Sequence, residues 1–254
     1  PQTLLMRPKN EDGSFTTPFN PYSWGGAFTE GNSWHYSWSV FQDIEGLKGL
    51  MGGNKMFITM LDSIFIMPPD FGDNSYYRSI IHEMREMQIM GMGQYAHGNQ
   101  PIQHMVYLYN YAGQPWKSQY WVREVMNRLY NSSAEGYCGD EDNGQTSAWY
   151  VFSALGFYPV TPASTQYVIG TPLFKKAEVH FENGKKLVIN APQNSAANRY
   201  VQSVAMNGKA STKNYFDHFE LLKGGSISFG LSAQPNKIRG LAKSDYPFSM
   251  STAP

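Results

Sequence analysis

The sequence holds a single cysteine, Cys138, so no disulfide closes within the chain and its stability must come from packing. Charge is scarce as well. Only 16% of residues are charged, and Lys plus Arg match Asp plus Glu at 20 each. A formal net charge of zero offers no basic field to a nucleic acid and no polybasic face to an anionic membrane. No apolar run reaches the roughly eighteen residues of a spanning helix, and no basic-then-apolar leader opens the chain. A G-x-S-x-G elbow, a P-loop and a dinucleotide fingerprint are all missing, which leaves serine-hydrolase and nucleotide chemistry without support. Cys138 sits beside acids that raise a thiol pKa, so a cysteine nucleophile is disfavoured too.

What the chain has in quantity is aromatic surface, 15% of its 254 residues. Large rings with polar edges fill cores and also stack on sugars; without basic excess, the sugar reading outranks nucleic acid. The length suits one large domain or two small ones.

Pro, Gly, Asn and Ser crowd the first 36 or so residues, which read as a long structured loop. Leu47, Leu50, Met51, Met56, Phe57, Met60 and Leu61 then recur at helical spacing on either side of Gly52-Gly53, predicting two helices and a glycine turn. Further helices are expected over about 103–111, over 115–130 with Pro115 at the first position, and over 145–156 closed by Gly156. After Pro159 the period changes to two. Asn183-Gly184 sits between alternating runs as a hairpin turn, and the runs at 200–210 and 224–233 add strands. The expected class is mainly α, with helices over 1–158 and a small antiparallel β unit and tail over 159–254. The helix hairpins with long loops at one end suggest part of a helical toroid.

Two acidic stretches stand out. In "FTEGNSWHYSW", 28–38, the carboxylate Glu30 is followed by Trp34, His35, Tyr36 and Trp38. In "GYCGDEDNGQTSAWY", 136–150, Asp140, Glu141 and Asp142 lie between Gly139 and Gly144 just before a helix start. One carboxylate would serve as a helix cap; three in a row repel unless a cation, proton or substrate relieves them. The glycine position and Val151 rule out an EF-hand loop. "HEMRE", 82–86, lacks the second His of a zinc-protease helix and reads as a surface helix. "YAHGNQPIQH", 95–104, offers oxygen ligands to a hard cation from Asn99, Gln100 and the Gly98 carbonyl, or is simply a turn before a helix. Paired carboxylates then point to glycosidic bond cleavage, where one acid protonates the leaving oxygen and a second activates water.

"TEGNSWHYSW", "HGNQP" with "YLYNYAGQPWKSQ", and "GDEDNGQTSAWYVFSALGFYPVTPAS", taken in order from about Arg7 to Gly240, resemble the C-terminal third of family 92 glycoside hydrolases. Those are calcium-dependent, exo-acting, inverting α-mannosidases. The resemblance implies an N-terminal β-sandwich and an (α/α)6 toroid, with the sandwich and the first part of the toroid supplied by the same polypeptide or a partner chain. It implies Glu30 as general acid, kept neutral against Trp34, and Asp140 or Asp142 as base. Substrate contacts fall to Trp34, Tyr36 and His97, and Asn99 and Gln100 to Ca²⁺. The substrate would be a mannose-containing glycan, with no nucleic acid or membrane partner, and the location secreted or periplasmic. Gln100 stands where the family has Glu, which removes a charge from that cation site, and "WSVFQD" at 38–43 stands for W-x-V-P-H-D. The alternative is a non-catalytic sugar-binding or interaction protein that keeps the fold.

Overall fold

A computed structural model describes residues 4–72 and 76–252. The extreme ends of the expected 1–158 and 159–254 parts therefore lie outside the described residues. The helices are α1 (Ser33–Tyr36), α2 (Ile44–Leu50), α3 (Asn54–Ile66), α4 (His82–Met90), α5 (Pro115–Leu129), α6 (Gln145–Leu155) and α7 (His218–Leu221). The strands are β1 (Phe157–Tyr158), β2 (Gln166–Ile169), β3 (Lys176–His180), β4 (Lys186–Asn190), β5 (Tyr200–Met206), β6 (Lys209–Ser211), β7 (Tyr215–Asp217) and β8 (Gly225–Ser232). Helix covers 32% of the chain, so the mainly α class is corrected, while the expected loop at the Pro- and Gly-rich opening and the expected strands after Pro159 are both present. The helix expected over 103–111 is present over Met105–Tyr111, with 3-10 geometry.

Helices α2, α3, α5 and α6 follow their apolar periodicity. Pro115 opens α5 at its first turn, where a missing N–H costs nothing. Gly156, at φ 103°, ends α6, and a side chain there would press on Pro172 and Phe229.

The strands form two sheets, ordered β1-β2-β7 and β3-β4-β8-β5-β6. Gly184 at φ 76° and Gly208 at φ 79° turn the hairpins β3–β4 and β5–β6. The larger sheet is mixed rather than antiparallel, because β4 runs parallel to β8 from Leu187↔Gly225 to Asn190↔Ser228. That pairing joins strands far apart in sequence, and no local turn chemistry announces it.

Two compact units emerge, neither of them one continuous stretch. The first comprises Pro1–Val40, Gly46–Met105 and Asn131–Thr146; the second comprises Phe41–Glu45, Val106–Tyr130 and Ser147–Pro254. Trp24, Trp38, Phe57, Leu61, Ile64 and Met84 are fully buried in the first, with Trp38 edge-on to Phe57 at 5.3 Å. In the second, α5 belongs with the sheets: Gln119 accepts the Val201 amide at 3.0 Å, and Arg123 donates to the Pro172 carbonyl at 2.8 Å and to Asn194 Oδ1 at 2.7 Å. The sheet core is built from Phe157, Ile169, Leu187, Ile189, Val204 and Phe229, among others.

Buried histidines give the fold a pH dependence. Burial lowers the pKa of His35 to about 4 and that of His104 to about 4, against backbone hydrogen bonds that raise both. Both folded values lie below the unfolded value near 6.5, so below pH 6.5 the unfolded chain binds more protons and stability falls. Each group removes up to about 1.4 kcal/mol per pH unit. The expected result is a thermal midpoint that drops steadily from pH 6.5 to 5, above the range where ordinary carboxylates titrate; a flat midpoint there would contradict the neutral, buried state of these rings.

Candidate active site

Every sequence-predicted site residue lies in the first unit. The acid motif is anchored first. Asn32 caps α1 by accepting the His35 amide at 3.2 Å, and His35 Nδ1 accepts the Asn32 amide at 3.1 Å. Nδ1 is thus an acceptor, which leaves Nε2 to donate to the Gln94 carbonyl at 2.9 Å. Asn32 Nδ2 also donates to Gln94 Oε1 at 3.2 Å. The aromatic motif is therefore bolted to the segment that leads into "HGNQ".

Glu30 projects from this frame with a left-handed backbone, φ 48°. A non-glycine residue there carries strain of about 1–3 kcal/mol, of the kind that gathers at functional sites. Two anchors hold it: its amide donates to Tyr77 Oη at 3.0 Å, and its carbonyl accepts from Asn99 Nδ2 at 2.5 Å. The side chain is exposed, which corrects the expected burial against Trp34. The Tyr36 and Tyr77 hydroxyls are raised in pKa by burial and by the Glu30 charge, so both remain protonated beside it.

The neighbouring Gln100 performs the same service for the other acidic loop. Its Nε2 donates to the Asp140 carbonyl at 3.0 Å and to Thr146 Oγ1 at 3.1 Å, and Thr146 Oγ1 itself donates to that carbonyl at 2.8 Å. Two consecutive amides thus bind the main chain of Glu30 on one side and of Asp140 on the other. Their close approach depends on glycine: a Cβ on Gly139 would collide with the Gly98 carbonyl and Cα, and one on Gly98 with Glu86 Oε2. With both amide nitrogens spent on protein acceptors, the side-chain oxygens of Asn99 and Gln100 are what each can offer a hard cation.

Helix α4 supplies residues the sequence reading missed. Glu83 is buried with Met84 and Met87, which corrects the surface-helix expectation for 82–86. His82 Nε2 lies 3.1 Å from Glu83 and 3.7 Å from Asp140 Oδ2, and His82 Nδ1 lies 3.0 Å from Glu86. Burial lowers the His82 pKa, but the Glu86 hydrogen bond and the charges of Glu83, Glu86 and Asp140 outweigh it and leave it raised. Burial raises the Glu83 pKa, with the Glu30 and Glu86 charges adding to it. Glu30 and Asp140 are therefore both within electrostatic reach of the His82–Glu83 pair. Glu83 Oε2 and Glu86 Oε2 are buried without a hydrogen-bond partner; such oxygens suit a nearby cation. Among the described residues, no group of three or more His, Cys, Asp or Glu forms a metal cluster of its own. The signal that could have located Glu83 is its place beside two methionines on one helix face.

The remaining residues vary in burial. Trp34 is 9% exposed and His97 0%, so neither turns a ring to solvent. His97 instead bonds Tyr95 Oη through Nδ1 at 2.7 Å, and burial holds it neutral, with its pKa lowered to about 3. Tyr36 is half-buried, its hydroxyl donating to the Thr29 carbonyl at 2.5 Å. Asp142 is exposed, with φ 42°. The Cys138 pKa is pushed up to about 12 by burial and the Glu86 charge, which removes it as a nucleophile.

Residues 1–233 match the glycosyl hydrolase family 92 catalytic domain. The fold is similar to the GH92 inverting mannosidase BT2199 of Bacteroides thetaiotaomicron, at TM-score 0.85 and 51% identity over 98% of this chain and 34% of that one. It is similar also to the GH92 α-mannosidase BT3965 of the same species, at TM-score 0.85 and 34% identity over 98% and 31%. An uncharacterized secreted glycosidase of Arthroderma benhamiae is 25% identical over 224 residues, 87% of this chain and 26% of that protein. The chain thus spans about a third or less of the length of these relatives. With nearly its whole length matched, the chain belongs to glycosyl hydrolase family 92.

Proposed function

We propose that these residues form part of an inverting exo-α-mannosidase that removes terminal mannose from glycans. The observation that carries the reading is the Asn99–Gln100 pair, whose amides donate to the Glu30 and Asp140 carbonyls and so bring two acidic loops, 110 positions apart in number, to one segment. BT2199 is an inverting mannosidase, and BT3965 has been seen with mannoimidazole bound. Both belong to the same family.

On this reading Glu30 donates its proton to the leaving oxygen, next to the Tyr36 and Tyr77 hydroxyls. Asp142 takes the proton of the attacking water; its carboxylate has no hydrogen-bond or ion-pair partner among the described residues, whereas that of Asp140 faces His82. The water attacks the anomeric carbon from the side opposite the leaving group and inverts it. Trp34 and His97, both buried, shape the pocket from behind, and Tyr36 flanks the sugar. The chemistry a bound Ca²⁺ would supply here is electrostatic stabilisation of the sugar. Asn99 and Gln100 would hold the ion through side-chain oxygens, with the unpartnered Glu86 carboxylate oxygen directly beside Gly98. The helices contribute to an (α/α)6 toroid, and an N-terminal sandwich and the rest of the toroid come from the same polypeptide or a partner chain. Relatives that include a secreted glycosidase favour an extracytoplasmic location.

The test is hydrolysis of an aryl α-mannoside with and without a chelator. Activity is expected to fall to background in EDTA and to return with added Ca²⁺. Saccharide binding without turnover in either condition would instead favour a non-catalytic sugar-binding protein.

A further inference from the structure

The second unit holds a cavity of about 570 Å³, inside the roughly 300–1,000 Å³ range of small-molecule sites. Glu45, Tyr111, Tyr215, Lys243, Tyr246 and Phe248 line it; none belongs to the proposed catalytic machinery.

One wall is the segment 243–252, and its anchoring is unusually dense. Asp43 accepts from Ser249 Oγ at 2.7 Å, from the Ser251 amide at 3.0 Å and from Ser251 Oγ at 2.5 Å. Ser249 Oγ also accepts the Glu45 amide at 2.8 Å, and Gln166 Oε1 accepts the Phe248 amide at 2.7 Å. The Met250 amide donates to the Gln42 carbonyl at 3.0 Å, and the Asp245 carbonyl accepts the Asn214 amide at 2.8 Å. Along this wall burial alternates. After the 3-10 turn Lys243–Asp245, Pro247 and Ser249 are buried while Tyr246 and Phe248 are half-buried, as extended chain requires when one side meets the core. Gly113, at φ 71°, leaves the space that Tyr246 Oη occupies.

The wall therefore adds two rings in a fixed frame to a lining that also includes Tyr111, which is 2% exposed. One acid and one base, Glu45 and Lys243, add a hydrogen-bond acceptor and a donor without net charge. Ring faces for C–H groups combined with neutral-sum polar groups match a sugar ring, which is apolar on its faces and hydroxylated at its edge. Because the wall is tied down beforehand, little ordering is left to oppose binding. The geometry points to a non-catalytic binding pocket for a neutral oligosaccharide, made by the segment 243–252. The inference draws its ligand class from the glycan-acting reading above.

Hydrogen exchange on the full-length protein with a mannotriose probe tests it, together with calorimetric titration. Added saccharide is expected to protect 243–252 from exchange. Tyr246→Ala and Phe248→Ala should each weaken that binding at least about tenfold and leave aryl α-mannoside hydrolysis within about twofold of the parent. Tyr246→Phe, which keeps the ring, should retain most of the binding, and Lys243→Ala on the exposed rim gives a variant with little folding risk and a several-fold loss. Protection confined to other segments, or binding indifferent to all four substitutions, overturns the pocket even where mannoside hydrolysis is intact. Protection of 243–252 in a protein that hydrolyses no mannoside would keep the pocket and refute the catalytic reading instead.

Discussion

Glu30→Gln is expected to lower kcat/KM on an ordinary mannoside by about 10²–10⁴-fold, the usual worth of a positioned proton donor, and to spare most of the activity on substrates with an acidic leaving group. The reasoning is specific to this position. Both anchors of residue 30 are main-chain groups, the amide on Tyr77 Oη and the carbonyl under Asn99 Nδ2, so the substitution disturbs neither. The left-handed backbone at φ 48° is equally available to Gln. The variant should therefore fold as the parent does, and what it loses is the proton. Steady-state kinetics on a phenyl and a dinitrophenyl mannoside side by side measure the difference; equal losses on both would remove Glu30 from the acid role.

Gly139→Ala has the largest expected structural effect, and its consequence should reach the active site. The residue lies at φ 71°, and an added methyl would drive into the Gly98 main chain, which has no rotamer with which to yield. Strain at a positive φ and a forced backbone shift together cost about 2–5 kcal/mol, or a fall of roughly 5–15 °C in Tm at this chain length. The shift would pull the Asp140 carbonyl away from Gln100 Nε2, so activity should drop as well, at temperatures where the protein is still folded. Gly144→Ala is the internal control. It lies in the same loop at φ 88°, but nothing stands within 4 Å of the added Cβ, so it should show only the smaller conformational cost of about 1–2 kcal/mol. Thermal melts of the two variants separate close approach from backbone preference; equal destabilisation would contradict the claimed contact between 98 and 139.

The parts of this fold that were legible in the sequence are those set by neighbours in the chain. Leu47 through Leu61 announced α2 and α3 because a helix repeats every 3.6 residues, and Asn183-Gly184 announced its hairpin because only a few residues fit that turn. The parallel pairing of β4 with β8 was hidden, since it joins segments whose contact depends on everything folded between them. The 3-10 geometry of Met105–Tyr111 was hidden as well, because its apolar residues fit either kind of helix.

The site divides in the same way. Glu30, Asp140 and Asp142 could be named because acids flanked by glycines and aromatics are chemically conspicuous. The work of Asn99 and Gln100 as main-chain clasps could not, because an amide that ties two loops and one that ligates a cation look alike in one dimension. His97 shows the same limit: a histidine in a polar motif invited a substrate role, and its burial against Tyr95, which keeps it neutral, could not be read from the residues beside it. Glu83 was overlooked for a related reason. Its neighbours His82, Arg85 and Glu86 made the helix look solvated, although Met84 and Met87 already marked a face turned inward.

The central claim is that Glu30 and the Asp140–Asp142 loop work as a separated acid and base on one sugar. Stereochemistry reports this directly, because carboxyl groups about 6.5–9.5 Å apart admit a water and invert the anomeric centre, whereas about 5–5.5 Å forces a covalent intermediate and retention. Proton NMR of the first minutes of α-mannoside hydrolysis by the full-length protein should show β-mannose appearing before mutarotation produces the α form. α-Mannose as the first product, or no mannose released at all, would contradict the account.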